Sequence, residues 1–539
     1  MNRSIDIRIT TLITTLMLCL AAHAYSHKYR VWLTDKDTCT YTLQEPEKYL
    51  SDQSIARRNR MGIPIDIRDI PVSNTYLSLL KEKGCDIVTT SRWMNTVVVA
   101  VNDTTIIDEL ASLPCVERVQ CVWKNKPDNI ATGKFQSKKG IVSDITTTIL
   151  NNTTYGHAQR QIEMLNLDSL HKQGFMGEGM SIAVLDAGFY DAENLSYIDK
   201  ENIAGSYDFA HASQKCNYKY ETHGTEVLSC MAANTPGTYV GSAPEAQYWL
   251  FVTEDVDTEY PIEEDFWLSA AERADSIGVD IINTSLAYTT FDDNEMNYTL
   301  SQLDGKTSFI SQGAGIAAQK GMLVVTAAGN EYNKSWVKIG FPADAIGTIT
   351  VGSVNLDGKH SSFSSCGYTS DGRIKPDVMA MGSNAYLITA GNKLKCASGT
   401  SYSAPIMCGA LACLWQSHPE WSVEQLITNV CRSASQYNHP DELYGYGIPN
   451  IYAAYHGSSN IDGVKQNKHI YLRNKTLHIP DIYRGGTLYI YDNTGRCLIS
   501  HTIDANNESI QLDNLSVGFY IVVLSHNQQQ TTQRIIISQ

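Results

Sequence analysis

The stretch Ser398-Gly399-Thr400-Ser401-Tyr402-Ser403-Ala404-Pro405 decides how this chain is read. Glycine lets the backbone approach a neighbour closely, and the small hydroxylated residues after it suit the start of a helix. Ile406, Met407, Ala410, Leu411 and Leu414 then put apolar side chains on most faces of that helix. A helix that is apolar nearly all round belongs inside a core. Pro405 is read as part of the first turn, where its missing N–H is harmless. Ser401 thus opens a buried helix, where free N–H groups and the positive dipole end favour developing negative charge.

Two upstream segments carry matching chemistry. Ile182-Ala183-Val184-Leu185-Asp186-Ala187-Gly188 is an apolar strand ending in a carboxylate, and open α/β folds place their sites at such carboxyl ends. Thr222-His223-Gly224-Thr225-Glu226-Val227 supplies an imidazole. A serine hydroxyl is a weak nucleophile near neutral pH and needs a base in hydrogen-bond reach. Histidine can take and return that proton, and a carboxylate can fix its tautomer. Taken singly, Asp186 reads as a turn residue, His223 as an ordinary histidine and Ser401 as a helix cap; together they favour the chemical reading. Glu226 does not complete the HExxH spacing of a zinc site, and the GxSxG elbow is absent around Ser401. No metal ligands are read, and no cofactor is needed for this chemistry. Structural calcium is left without a supporting motif.

Around these segments, apolar runs at 181–185, 248–252, 279–282, 322–326 and 348–351 alternate with helical stretches. Strands without polar alternation point to a parallel sheet covered by helices on both faces.

The order Asp186, His223, Ser401, with VLDAG, THGTEV and SGTSYSAP around them, resembles the subtilisin-like serine proteases (subtilases). The resemblance covers roughly 160 to 455. It implies a subtilisin-like α/β fold with an Asp186-His223-Ser401 triad hydrolysing protein or peptide substrates through an acyl-enzyme. Ala327-Ala328-Gly329-Asn330 resembles the family's AAGN motif, which makes Asn330 an oxyanion-hole donor beside the Ser401 N–H. Ile281 to Tyr288 resembles the strand that pairs with extended substrate, giving Ser285, Leu286 and Ala287 as binding residues along with Ala328 and Gly329. Gly340 matches the floor of the primary specificity pocket. No acid stands there, which favours large apolar side chains over Lys or Arg. Ala287, where the family commonly has glycine, narrows that pocket, and Glu331 stands where a rim acid would tolerate a cation.

The flanks imply a precursor. Arg3 and Arg8, an apolar run from Ile9 to Ala22, and Ala22-His23-Ala24 have the order of a signal peptide at 1–24. Residues 25–125 read as an α+β domain that fits a subtilase propeptide, with helices near 76–81 and 106–113 and strands near 95–101 and 115–123. Residues 126–154 read as a linker and processing zone, and 155–456 as the catalytic domain. Short strands and turns make 466–539 a small β-sandwich, and Leu488-Tyr489-Ile490-Tyr491-Asp492 with Gly518-Phe519-Tyr520-Ile521-Val522 resemble a type IX secretion sorting domain of Bacteroidetes type. That implies a secreted or cell-surface protein, exported via the periplasm, with outer-membrane secretion machinery as a partner and no transmembrane helix in the mature chain.

Composition adds exclusions. Lys and Arg number 42 against 57 Asp and Glu, a net −15 that disfavours nucleic acid as a partner. Thirteen cysteines in 539 residues are too sparse for a disulfide scaffold. In the catalytic region, Cys366 with Cys396 and Cys216 with Cys230 stand as possible bridges, whereas Cys408 and Cys413 share the buried helix and read as core. Two other functions stay open on the sequence: a narrow processing protease of co-secreted precursors, and an inactive adhesin on a protease fold.

Overall fold

The structure is a computed structural model that describes residues 27–125, 154–212, 221–457 and, apart from a few loop residues, 471–537. The expected signal peptide, nearly all of the 126–154 zone and Cys216 lie outside the described residues. The chain divides into two units, 1–457 and 458–539. Among the described residues no helix is long and apolar enough to cross a membrane.

The first unit begins with β1 (His27–Leu33), α1 (Asp52–Met61), α2 (Asn74–Glu82), β2 (Asp86–Ser91), β3 (Thr96–Val101), α3 (Ile106–Ala111) and β4 (Val116–Lys124). The strands form an antiparallel sheet of order β2-β3-β1-β4. Every residue of β3, TVVVAV, is buried, because both faces of its strand are covered. Val97, Val99 and Val101 pack with Leu80 and Leu110 of this domain's own helices. Val98 turns the other way, toward Tyr260, Ile262 and Phe266 of the domain that follows.

That domain is a seven-stranded parallel sheet. Its strands are β5 (Ser181–Asp186), β6 (Ile203–Asp208), β7 (Gln247–Val252), β8 (Ile281–Thr284), β9 (Leu323–Ala327), β10 (Ile349–Val354) and β11 (Val378–Met381), in the order β11-β10-β9-β8-β5-β7-β6. Helices α4 (His223–Ala232) and α7 (Thr400–Ser417) pack into the core on one side, with the hairpin β12 (Ala385–Thr389)–β13 (Lys393–Ala397) against α4. Helices α5 (Ile262–Ile277) and α6 (Phe309–Gln319) cover the other. All five apolar runs are strands here; the pattern does not announce β1, β6 or β11.

The second unit has β14 (Tyr471–Arg473), β15 (Thr476–Ile479), β16 (Thr487–Tyr491), β17 (Cys497–Thr502), β18 (Glu508–Gln511), β19 (Gly518–His526) and β20 (Gln529–Ile537). They form sheets of order β14-β15-β18 and β17-β16-β19-β20. Leu477 and Ile479 from the first meet Leu488, Ile490, Val522 and Leu524 from the second in one core.

An unexpected feature joins the two parts of the first unit. Asp265, Glu272 and Asp275 fall on one stripe of α5, and all three are buried under the N-terminal domain. Arg30 donates from Nε and Nη2 to Asp265 at 2.7 and 2.6 Å. Ser91 Oγ and the Arg92 and Trp93 N–H groups donate to Glu272. Asp275 accepts from Arg57, from Arg58 at 2.6 Å and from Arg92 at 3.2 Å. Arg58 also reaches Asp69, which Lys320 shares at 2.8 Å. Removing one partner from such a cluster strands the others without water. In the full chain, Asp275→Asn is expected to lower the stability of the first unit by about 3–5 kcal/mol. Calorimetry reads this as a lower melting temperature, and an unchanged melt contradicts the role of the cluster.

Candidate active site

The parallel sheet gathers the expected residues at its carboxyl edge. Asp186 ends β5, Ser285 follows β8, and Asn330 lies just past β9. His223 and Ser401 stand in the first turns of α4 and α7. Strand ends and helix starts meet here because every parallel strand returns through a crossover on a sheet face.

Asp186 is fully buried, and its Oδ1 accepts from the Ala187 N–H at 2.8 Å and from His223 Nδ1 at 2.7 Å. With Nδ1 donating, the neutral ring carries its lone pair on Nε2. The close approach needs Gly224. A Cβ there would lie 2.6 Å from the Gly188 oxygen and 3.0 Å from the Asp186 Cβ, and its N–H donates to that Gly188 oxygen at 2.9 Å. Desolvation pulls the His223 pKa down, but the carboxylates of Asp186 and then Glu226 outweigh it and hold it above the ordinary imidazole value.

Ser401 and Ser285 exchange hydrogen bonds. The Ser401 hydroxyl donates to the Ser285 carbonyl at 3.2 Å, and the Ser285 hydroxyl donates to the Ser401 carbonyl at 2.9 Å. The second bond has a sequence cause. Pro405 lies in the second turn of α7, not the first as expected, and four residues after Ser401. Lacking an N–H, it leaves the Ser401 carbonyl without its helical donor. Ser285 fills that vacancy, a role that the Ser401-to-Pro405 spacing could have signalled.

Asn330 is oriented by the same helix start. Its Oδ1 accepts from the Thr400 N–H at 2.9 Å and the Thr400 hydroxyl at 3.1 Å. Thr400 Oγ1 in turn accepts from the Gly329 N–H at 3.1 Å. With the oxygen occupied, the Nδ2 donors are left to face elsewhere. The Ser401 N–H is in the first helical turn, where geometry supplies no intrahelical acceptor.

Leu286 is buried and Ala287 exposed. The segment is pinned by reciprocal backbone bonds between Tyr288 and Phe341, at 2.9 and 3.0 Å. Gly340 donates to the Ala328 oxygen at 3.1 Å. A Cβ on Gly340 would lie 2.9 Å from the Ala287 Cβ, and one on Gly329 would lie 3.6 Å from it. The Ala287 methyl group therefore stands against both glycines. Glu331 turns to Lys334 at 2.7 Å rather than standing as a lone rim acid. Cys366 and Cys396 are not bonded to each other: Cys366 is buried, and the Cys396 thiol donates to the Asn384 carbonyl at 3.1 Å. Cys408 and Cys413 are buried in the core of α7. Among the described residues no group of three or more His, Cys, Asp or Glu could hold a metal ion.

The subtilase family model matches residues 177–447. The model for a peptidase S8 propeptide domain of Bacteroidota matches 28–139, and that for a secretion system C-terminal sorting domain matches 467–538. Subtilisin E of Bacillus subtilis is 28% identical over 344 residues, covering 62% of this chain and 83% of the relative. Subtilisin of Bacillus pumilus is 29% identical over 295 residues, covering 54% and 97%. Among solved structures, the epidermin leader peptide processing serine protease of Staphylococcus aureus superposes with a TM-score of 0.54 at 16% identity, over 82% of this chain and 100% of that one. That likeness concerns the fold.

Ser285→Ala takes the donor from the Ser401 carbonyl at the mouth of a buried helix. It is expected to cost about 1–3 kcal/mol of stability, measured by thermal melting. A melt matching the parent contradicts the compensation for Pro405.

Proposed function

The chain belongs to the subtilase family and is a secreted or cell-surface serine-type endopeptidase; from that premise we propose that it cleaves peptide bonds with Asp186, His223 and Ser401 as its triad. The 2.7 Å bond from His223 Nδ1 to Asp186 carries the reading, because it fixes the tautomer that a base needs. The Ser401 hydroxyl turns from the Ser285 carbonyl and gives its proton to His223 Nε2 as Oγ attacks the substrate carbonyl carbon. The oxyanion takes hydrogen bonds from Asn330 Nδ2 and the Ser401 N–H. Collapse breaks the C–N bond, and the amine leaves with the proton from His223. Water then repeats the cycle on the acyl-enzyme, returning Ser401 and releasing the acid. Substrate lies extended beside 285–287, where main-chain groups bind by strand addition.

The N-terminal domain is the natural brake on this site, released by cleavage within 126–154. The sorting domain hands the chain to outer-membrane secretion machinery.

Ser401→Ala is expected to abolish both turnover and labelling by a fluorophosphonate probe that marks Ser401 in the parent. Asn330→Leu keeps the labelling site but is expected to lower kcat by about 10²–10³. Turnover by the alanine variant, or a loss below about threefold at Asn330, contradicts these roles.

Substrate preference at the cleaved residue falls on apolar side chains of moderate size, because the Ala287 methyl group stands against Gly329 and Gly340. Ala287→Gly is expected to raise kcat/KM for Phe or Tyr relative to Ala by about tenfold, the scale of one methyl group in a pocket. A peptide library measures the ratio, and an unchanged ratio removes Ala287 from the pocket.

A further inference from the structure

Behind His223 stands a second buried carboxylate that peptide hydrolysis by a triad does not require. Glu226 lies on α4 one turn past His223 and is 3% exposed. Its Oε2 accepts from the Tyr402 hydroxyl at 2.9 Å, and its Oε1 accepts from the Thr389 hydroxyl and from Lys395 Nζ, both at 2.8 Å. Tyr402 is the residue next to Ser401. It is buried, and its ring centroid is 6.1 Å from that of His223. Thr389 ends β12, and Lys395 lies in β13, which runs through Ser398-Gly399 into α7. One carboxylate therefore ties together the helix with the base, the helix with the nucleophile and the hairpin between them.

The chemistry is costly enough to need a reason. A buried carboxylate loses several kcal/mol of hydration, which its partners must offset. An apolar pair of the same shape would hold two helices together without that penalty. What ionic hydrogen bonds add is direction and strength, about twice that of neutral ones.

We propose that Glu226 and Tyr402 are positioning residues for the peptidase reaction, their hydrogen bond fixing the Ser401 end of α7 against the His223 end of α4, with Lys395 and Thr389 bracing Glu226. The proposal rests on the triad reading given above. Neither side chain touches the reacting atoms, so the effect falls on kcat and not on substrate affinity. Glu226 also acts on His223 through its charge. The groups facing the imidazole are Asp186 from β5, Glu221 just before α4, Glu226 from α4 and Tyr402 from α7, while Lys395 from β13 faces Glu226.

The test compares the secreted parent enzyme with Glu226→Gln, Tyr402→Phe, the double variant and Lys395→Met. Each is measured for kcat and KM on one fluorogenic peptide across pH 5–9, for fluorophosphonate labelling at Ser401, and for melting temperature. Glu226→Gln and Tyr402→Phe are each expected to lower kcat about tenfold with KM within about twofold. The double variant loses less than the product of the two single losses, because Glu226→Gln takes the charge from the same bond that Tyr402→Phe removes. Base catalysis needs neutral His223, so activity falls on the acid side of its pKa. Glu226→Gln moves that acid limb to lower pH, whereas Tyr402→Phe leaves it in place. Lys395 is partly exposed, so Lys395→Met decides the matter if the buried variants do not accumulate. A lower kcat at unchanged KM supports the proposal. Variants that melt lower but keep the parent kcat, or losses that multiply in the double variant, overturn it. An unlabelled parent Ser401 instead defeats the triad reading; a labelled parent with unaltered variants defeats this proposal alone.

Discussion

Helix α7 has almost no face left for water, yet it must begin at the carboxyl edge of the sheet. Its interior residues, from Ile406 to Trp415, are essentially unexposed. Sliding such a helix opens cavities on every side, and each buried methyl group left uncovered costs about 1 kcal/mol. The position of its first turn is therefore set by the core. Ser401, Ser285 and Asn330 take their bearing from that turn. The Thr400 N–H orients Asn330, and Gly399 is held to the Gly382 oxygen at 2.8 Å. Ser285 stands where Pro405 leaves an unpaired carbonyl. Tyr402 reaches back to the helix that carries His223.

The same argument about buried polar groups applies to the N-terminal domain. The carboxylates on α5 are stable where they are because Arg30, Arg57, Arg58 and Arg92, with the Ser91 hydroxyl and the Arg92 and Trp93 N–H groups, meet them. A departing domain would return both sets of ions to water, and hydration would recover much of what burial had lost. Ionic groups of this kind regain hydration on separation, which an apolar face does not. Burial already pushes Glu264 up to about 7, against the opposing pull of Arg30 and Tyr298. Arg30 thus draws Glu264 back toward its ionised form.

The sheet was legible because its central strands are continuous apolar runs, such as Ile182 to Leu185. The strand β6, with Gly205 and partly exposed side chains at the sheet edge, lacks that signal. So does β1, whose His27, Lys28 and Arg30 look like surface residues until the facing carboxylates are known. Among the site residues, Asp186 and His223 lie within one hydrogen bond. The Ser401 hydroxyl rests on Ser285. Sequence could not place Glu226 with Tyr402 and Lys395, since those contacts span 176 and 169 residues. Glu226 does not complete a zinc motif, and its partners are a phenol, a hydroxyl and an ammonium. Cys366 and Cys396 stand in the sequence as a possible bridge, but both are free, Cys366 buried and Cys396 on β13 turned to Asn384.

On the proposed function, one helix start holds the nucleophile and orients both oxyanion donors. A crystal structure of the mature enzyme with a peptide boronic acid tests it most directly, since boron adopts the tetrahedral geometry of the intermediate. The account requires a covalent bond from Ser401 Oγ to boron, with one boronate oxygen about 2.7–3.1 Å from both Asn330 Nδ2 and the Ser401 nitrogen. Boron bound to another residue, or that oxygen turned to solvent with Asn330 unengaged, would contradict it.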